Sequence, residues 1–183
     1  MPSLIAKRYA QALFNSANES GELKTVRADI AIVMQAIRDS EDFQQFLKNP
    51  VIFAQNRRKI LSEIFHKKIH PVTENFLFFL SSKGRLVFLK EISEIFEDLY
   101  CASQSILKVK FTSSFPLEHQ EIGRISERLS EKFKKVVEPQ MSIDKSVIGG
   151  FKLQVEDMVY DFSVKTQLEN FKKRVIHQQK ATV

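Results

Sequence analysis

The hydrophobic residues of this chain first change their spacing near residue 105. Before that point they recur at intervals of three and four, which is typical of amphipathic helices. From Ile106 to Thr112 they alternate with polar residues, which is typical of a half-buried strand. Because these two spacings suit different elements, the sequence predicts a mostly α chain in two domains. An N-terminal six-helix bundle over residues 1–105 is expected to precede a small α/β domain over residues 106–183.

Helix-starting and helix-ending residues divide the first domain into its six predicted helices. Ser3 and Ser40 stand where N-caps are expected, and Gly21 and Gly84 stand where glycine commonly ends a helix. The sixth helix is expected to begin at Leu86. Only five glycines and five prolines occur in the 183 residues, which favours long helices over a many-stranded fold.

The fifth predicted helix is apolar on nearly every side, because Phe76 to Leu80 contains no polar residue. Such a helix is either buried on more than one side or presents a face to a partner. No strictly apolar run in the chain is longer than these five residues. That length is far shorter than the roughly 20 residues that a membrane-spanning helix needs. The sequence therefore does not predict an integral membrane protein.

The second domain combines predicted strands with two amphipathic helices. Pro139 should confine its strand to a sheet edge, because proline cannot donate a ladder hydrogen bond. Gly149–Gly150 is expected to be a turn or bulge where two backbone segments approach closely. A hairpin turn is expected at residues 156–157, and Ser163 should cap the final helix. The apolar residues of that helix are expected to point inward: Val164, Leu168, Phe171 and Val175.

The single cysteine and the first residues of the chain indicate the cellular compartment in which the protein is expected. Cys101 is the only cysteine, so no intrachain disulfide can form, which suits a reducing compartment. The chain begins Met-Pro-Ser and enters an amphipathic pattern without an apolar signal core or a transit leader. A cytosolic protein is therefore expected.

The residue patterns of common enzyme sites are missing from the sequence. No glycine-rich stretch ends in Gly-Lys-Ser/Thr, and Gly149–Gly150 lacks the third glycine of a dinucleotide site. His66 and His70 could share a helix face, but no further metal ligand accompanies them. Cys101 has no neighbouring base that would activate its thiol. The sequence predicts no catalytic, cofactor-binding or metal-binding residues, and hence a binding or structural protein without a cofactor.

Basic residues exceed acidic ones by 28 to 22, which gives a net charge of +6. Clusters at 57–59, 134–135 and 172–174 all lie in helical patterns beside acidic or apolar residues. Such clusters are expected on solvent-exposed helix faces. The alternative function is a nucleic-acid-binding module that uses the basic C-terminal part. In 172–174 the one adjacent aromatic residue is Phe171, which also fits the apolar face of its helix.

Four stretches of the chain resemble the delta subunit of F-type ATP synthases, the family of the mitochondrial oligomycin-sensitivity-conferring protein. They are Ala6–Phe14, Asn49–Val51, Asn75–Leu77 with Lys83–Leu86, and Ile143–Phe151 followed by Asp157–Val164. The last stretch is the most specific. The residues that form the structural signature are Gly84, Asp144, Gly149, Gly150, Asp157, Asp161 and Ser163. Phe162 and Glu156 depart from the family, which often has glycine at both positions.

The resemblance implies a non-catalytic stator subunit in the peripheral stalk of a proton-translocating ATP synthase. Residues 1–105 would grip the N-terminal helix of an alpha subunit, and residues 106–183 would contact the b subunits. One copy per complex is implied, at the cytoplasmic face of a bacterial cell membrane and without insertion into it. The subunit would hold the catalytic head still against the torque of the rotor.

The family also implies a cleft between the first and fifth helices as the site that grips the alpha subunit. One wall would contain Ala6, Tyr9, Ala10 and Leu13. The other would contain Asn75, Phe78 and Phe79. Small side chains on the first wall would let a partner helix come close. The alternative is that all of these residues belong to the core of the bundle.

Overall fold

A computed structural model of the chain describes residues 3–49 and 52–180. These residues are mostly helical and include one four-stranded mixed sheet, so the prediction of a mostly α chain is confirmed. The chain separates into two compact units between Tyr100 and Cys101. The alternating strand pattern begins at Ile106, the residue at which the sequence predicts it.

The described part of the first unit contains six α-helices. They are α1 (Leu4–Glu19), α2 (Leu23–Asp39), α3 (Glu41–Lys48), α4 (Ala54–Phe65), α5 (Pro71–Ser82) and α6 (Leu89–Ser103). The division between the units falls in the last turn of α6. A short 3-10 helix, Leu86–Phe88, precedes α6. The prediction that the sixth helix begins at Leu86 was therefore wrong by one turn.

The residues predicted to start and stop these helices do so. The hydroxyl oxygen of Ser3 accepts a hydrogen bond from the backbone N–H of Ala6 at 3.1 Å. Ser40 accepts the N–H of Phe43 in the same way at 3.2 Å. Gly84 follows α5 with a φ of +64°, a left-handed conformation that glycine adopts without steric cost. Pro50 and Val51, beside the predicted end of the third helix, lie outside the described residues.

Helix α5 packs against α1, α2 and α4. Leu77 and Leu80 are almost completely buried, and each contributes about 1.5–3 kcal/mol through loss of apolar surface. The start of α5 is fixed by Asp29 of α2, whose carboxylate accepts the backbone N–H of His70 at 2.8 Å and the hydroxyl of Thr73 at 2.7 Å. These contacts hold α5 in place beside α1.

In the second unit, four strands and two helices are described. They are β1 (Ile106–Ser113), α7 (His119–Phe133), β2 (Val136–Ile143), β3 (Phe151–Val155), β4 (Met158–Asp161) and α8 (Val164–Lys180). The strand order is β2-β1-β3-β4. Strand β1 runs parallel to β2 and antiparallel to β3, while β3 and β4 form a hairpin. Pro139 lies on β2, an edge strand, as predicted.

One face of this sheet forms the core of the second unit. Its fully buried centre is Leu107, Val109, Phe111, Leu153 and Val155. Helix α7 covers that face with Ile122, Ile125, Leu129 and Phe133. The opposite face carries polar residues such as Lys110 and Gln154. The unit thus has one apolar layer, between the sheet and α7.

The expectation that the apolar residues of α8 point inward was wrong. Val164, Leu168 and Phe171 are 44%, 63% and 67% exposed. Helix α7 already covers the apolar face of the sheet, and Val164, Leu168 and Phe171 are not part of that core. The side chain of Val175, the fourth residue of the predicted stripe, lies outside the described residues.

Candidate partner-binding surface

The side chains of Tyr9 and Phe79 meet where α1 and α5 lie side by side. Their ring centroids are 6.0 Å apart and the ring planes make an angle of 68°, an edge-to-face contact. Phe79 is 48% exposed, and Asn75, one turn earlier on α5, is also exposed. Two of the residues predicted for one wall of the cleft are therefore at the surface, next to Tyr9 of the other wall.

Helical spacing explains why Phe79 remains at the surface of so apolar a helix. Phe76, Leu77 and Leu80 occupy the buried side of α5, whereas Asn75 and Phe79 are four residues apart and share another side. A helix that is apolar on most sides can thus fill the core and still present an aromatic ring to solvent.

Three residues predicted for the first wall do not reach the surface. Ala6, Ala10 and Leu13 are buried, together with Ala17, on the side of α1 that faces the core. They satisfy the spacing of three and four that marks the core face, and they pack in the core of the unit. Ala12, three residues after Tyr9, is a small residue that is exposed on the outer side of α1.

Phe78 lies on a different side of α5 from Phe79. The guanidinium carbon of Arg58, on α4, is 4.7 Å from the centroid of the Phe78 ring. Phe78 lines a cavity of about 750 Å³ between α4 and α5. The other residues that line it are Gln55, Arg58, Lys59, Ser62, Glu63, His66 and Glu74. Adjacent side chains on a helix point in directions about 100° apart, so Phe78 and Phe79 do not both line one cleft beside α1.

Residues of the structural signature form a close backbone contact in the second unit. The carbonyl of Gly149 accepts the N–H of Val164 at 3.0 Å, and the carbonyl of Phe151 accepts the N–H of Phe162 at 2.9 Å. Gly150 has a φ of +74°, and a Cβ atom on it would lie 2.4 Å from the carbonyl oxygen of Phe162. The predicted close approach at Gly149–Gly150 is confirmed.

Two signature carboxylates hold turns in this region. Asp161 accepts the backbone N–H of Ser163 at 2.9 Å and pairs with the Lys152 ammonium at 3.3 Å. The hydrogen bonding from Ser163 lowers the pKa of Asp161 to about 2. Asp144 accepts the N–H of Ser146 at 2.9 Å, which likewise lowers its pKa. These carboxylates order the backbone of the two turns.

The remaining signature residues also have structural positions. The hydroxyl oxygen of Ser163 accepts the N–H of Thr166 at 3.4 Å and so caps α8, as predicted. Asp157 lies in the turn between β3 and β4, and Gly84 follows α5. Their role is to shape the two units.

The depressed pKa of Asp161 predicts loss of stability in acid. Because the folded-state pKa of about 2 lies below the ordinary value for an aspartate carboxyl, the ionised carboxylate stabilises the fold at pH values above that ordinary value. This contribution disappears as pH falls from about 4 to about 2. Asp161→Asn should lower the melting temperature at about pH 6 and have little effect near pH 2. Circular dichroism melts across this range measure it. Equal melting temperatures of the unchanged chain and Asp161→Asn at about pH 6 would contradict the assignment.

The two departures from the family pattern differ in their backbone conformation. Glu156 has a φ of +52°, in the left-handed region that favours glycine. Phe162 has no positive φ, so a residue with a side chain fits there without strain. Its ring lies 5.3 Å from that of Phe151. Of the two departures, only Glu156 therefore occupies a position where glycine would relieve backbone strain.

Neither a metal centre nor a membrane-spanning helix is found in the part of the chain that the structure describes. Within residues 3–49 and 52–180, no group of three or more His, Cys, Asp or Glu side chains is placed to hold a metal ion. His70 instead accepts the N–H of Val72 at 3.4 Å at the start of α5. In the same part of the chain, no helix combines the length and the apolar character that crossing a membrane requires.

The model of the ATP synthase delta (OSCP) subunit family matches residues 5–175 of the chain. The chain belongs to this family. The match includes all residues proposed for the partner-binding surface and the whole structural signature. The ATP synthase delta family therefore accounts for both units of the protein.

Individual relatives agree with this assignment. The chain is 34% identical over 170 residues to ATP synthase subunit delta of Anaeromyxobacter dehalogenans, covering 92% of this chain and 95% of the relative. It is also 34% identical to the subunit of the same name from Nitrosomonas eutropha, with 90% and 92% coverage. A chain from the Toxoplasma gondii mitochondrial ATP synthase hexamer has the same fold, with a TM-score of 0.75 and 23% identity. That comparison covers 95% of this chain and 98% of the other.

Proposed function

We propose that this delta-family chain is a non-catalytic stator subunit in the peripheral stalk of a proton-translocating F-type ATP synthase. It joins the catalytic head to the stalk and keeps the head from turning with the rotor. The six helices of the first unit form the bundle that binds the N-terminal helix of an alpha subunit. The second unit contacts the b subunits, and one copy serves each complex, at the cytoplasmic face of a bacterial cell membrane.

The edge-to-face pair of Tyr9 and Phe79 is the observation that carries this proposal. It places a partly exposed aromatic ring where α1 and α5 meet, and an amphipathic helix can lay its apolar face there. Aromatic residues near the centre of an interface commonly supply much of the binding energy. We therefore take Tyr9, Ala12, Asn75 and Phe79 as the alpha-binding surface, which we call the α1–α5 surface.

The outer stripe of α8 is the surface we propose for the b subunits. Val164, Leu168 and Phe171 follow one another at intervals of four and three, so they lie along one side of the helix. An exposed apolar stripe of this kind suits packing against another helix. The two proposed surfaces lie on separate units, as a subunit that joins two parts of a complex requires.

Titration of the purified full-length chain with a labelled peptide from the alpha N-terminus tests the proposal. Saturable binding is expected, and a tenfold excess of unlabelled DNA should leave it unchanged. If the chain instead binds DNA with an affinity that falls steeply with salt, the alternative function, nucleic-acid binding through the basic C-terminal part, is the correct one. Family membership favours the stator subunit over that alternative.

A further inference from the structure

We propose that the α1–α5 surface selects an acidic amphipathic helix, because exposed Arg8 on α1 and exposed Lys83 directly after α5 place positive charge on both helices that form this surface. This inference rests on the proposed function, since it concerns the same surface, and it adds the chemistry by which the partner is recognised. The partner helix would carry Asp or Glu residues on both sides of its apolar stripe.

Lys83 provides the charge on the α5 side. It is the residue that ends α5 and is exposed. Its ammonium nitrogen is 5.9 Å from the centroid of the Phe79 ring, four residues earlier. A partner side chain that contacts Phe79 therefore comes close to this ammonium group.

Arg8 provides the charge on the α1 side. It is exposed, directly precedes Tyr9, and lies four residues before the exposed Ala12. Residues four apart share a side of a helix. Arg8 therefore lies on the outer side of α1 that also contains Ala12. Lys7, by contrast, is two residues from Tyr9 and points to a different side of α1.

The two stretches of sequence that contain the surface residues have no acidic side chain of their own. From residue 3 to residue 18, and again from residue 75 to residue 90, the sequence contains no Asp or Glu. The cavity between α4 and α5 differs, because Glu63 and Glu74 line it together with Arg58 and Lys59. The cavity between α4 and α5 is thus lined by both acidic and basic side chains, whereas the stretches that contain the α1–α5 surface have only basic ones.

Charge of one sign around an apolar centre discriminates between partners. Opposite charges at the rim of an interface accelerate association, and like charges oppose it. An exposed ion pair changes affinity by up to about fivefold, so reversing both charges should change it by about tenfold or more at low salt. The discrimination should weaken as salt screens the charges.

Two synthetic amphipathic helices test the inference with the full-length chain. They share one apolar stripe and differ only in having Glu or Lys on both flanks. At low salt the Glu peptide should bind about tenfold more tightly than the Lys peptide. The double variant Arg8→Glu/Lys83→Glu should reverse this order. Lys7→Glu/Lys24→Glu makes the same change in net charge at exposed positions away from the ring pair and should preserve it.

The outcomes separate this inference from the function on which it rests. Equal binding of both peptides, unaffected by Arg8→Glu/Lys83→Glu but lost in Phe79→Asp, overturns the charge selection and keeps the surface. Binding of the Glu peptide that Phe79→Asp leaves unchanged overturns the surface itself. If the control pair reverses the preference as strongly as the test pair, net charge rather than these two residues is responsible, and the inference fails.

Discussion

Phe79→Asp should weaken binding of the alpha N-terminal peptide by about 30- to 1,000-fold while leaving the protein folded. The ring is 48% exposed beside Tyr9, so in the complex it would lie under the partner helix. An aspartate there would be buried in an apolar contact without a partner for its charge, which is costly. Losses of about 2–4 kcal/mol are typical of an interface hot spot. Titration of the labelled peptide measures the loss.

The fold should tolerate this change because an exposed position accepts a charge far better than a core position does. Loss of the ring contact with Tyr9 should cost about 0.5–1.5 kcal/mol of stability. Ile30→Asp is the comparison, because Ile30 is buried on α2 and an unpaired carboxylate there should unfold the first unit. If Phe79→Asp melts as Ile30→Asp does, the ring belongs to the core. If it stays folded and binds normally, the helix does not bind at this surface.

Gly150→Ala should destabilise the second unit by about 3 kcal/mol. The new Cβ would lie 2.4 Å from the carbonyl oxygen of Phe162, and that atom belongs to backbone held by the Phe162–Phe151 hydrogen bond. The φ of +74° adds a further cost for any residue with a side chain. The change therefore forces apart the two segments of the structural signature. Denaturant unfolding measures the loss of free energy.

Gly123→Ala is the matched control for the glycine prediction. Gly123 lies within α7, and a Cβ there would meet nothing within 4 Å. Alanine is favoured over glycine in a helix interior, so this variant should be more stable by about 0.5–1 kcal/mol. The same substitution thus has opposite signs at two positions of one unit. Equal effects at both would show that the contact with Phe162 does not constrain Gly150.

Local patterns in the sequence determined the helices, the strands and their ends. Ser3, Ser40 and Ser163 cap helices where the sequence predicts it, because a cap depends on a backbone N–H only three residues away. The close approach of two backbone segments at Gly149–Gly150 was also predictable, because glycine has no Cβ atom to hold a second segment away. The structural signature was thus largely readable from the chain.

The tertiary structure alone decided which apolar residues remain at the surface. Spacing defines the apolar side of a helix, but its neighbours determine how much of that side they cover. Ala6, Ala10 and Leu13 are covered within the first unit, whereas Phe79 stays open beside Tyr9. Phe79 and Phe78 lie on different sides of α5, because Phe79 contacts Tyr9 of α1 and Phe78 contacts Arg58 of α4.

The last helix shows the same division most clearly. Leu168 and Phe171 follow the spacing of buried residues, yet both are exposed. Burial depends on how much apolar surface the rest of the unit still leaves uncovered, and α7 already covers the apolar face of the sheet. The sequence by itself determined that α8 has an apolar side. Only the packing of the other elements, which brings together residues far apart in the chain, decided that this side faces solvent.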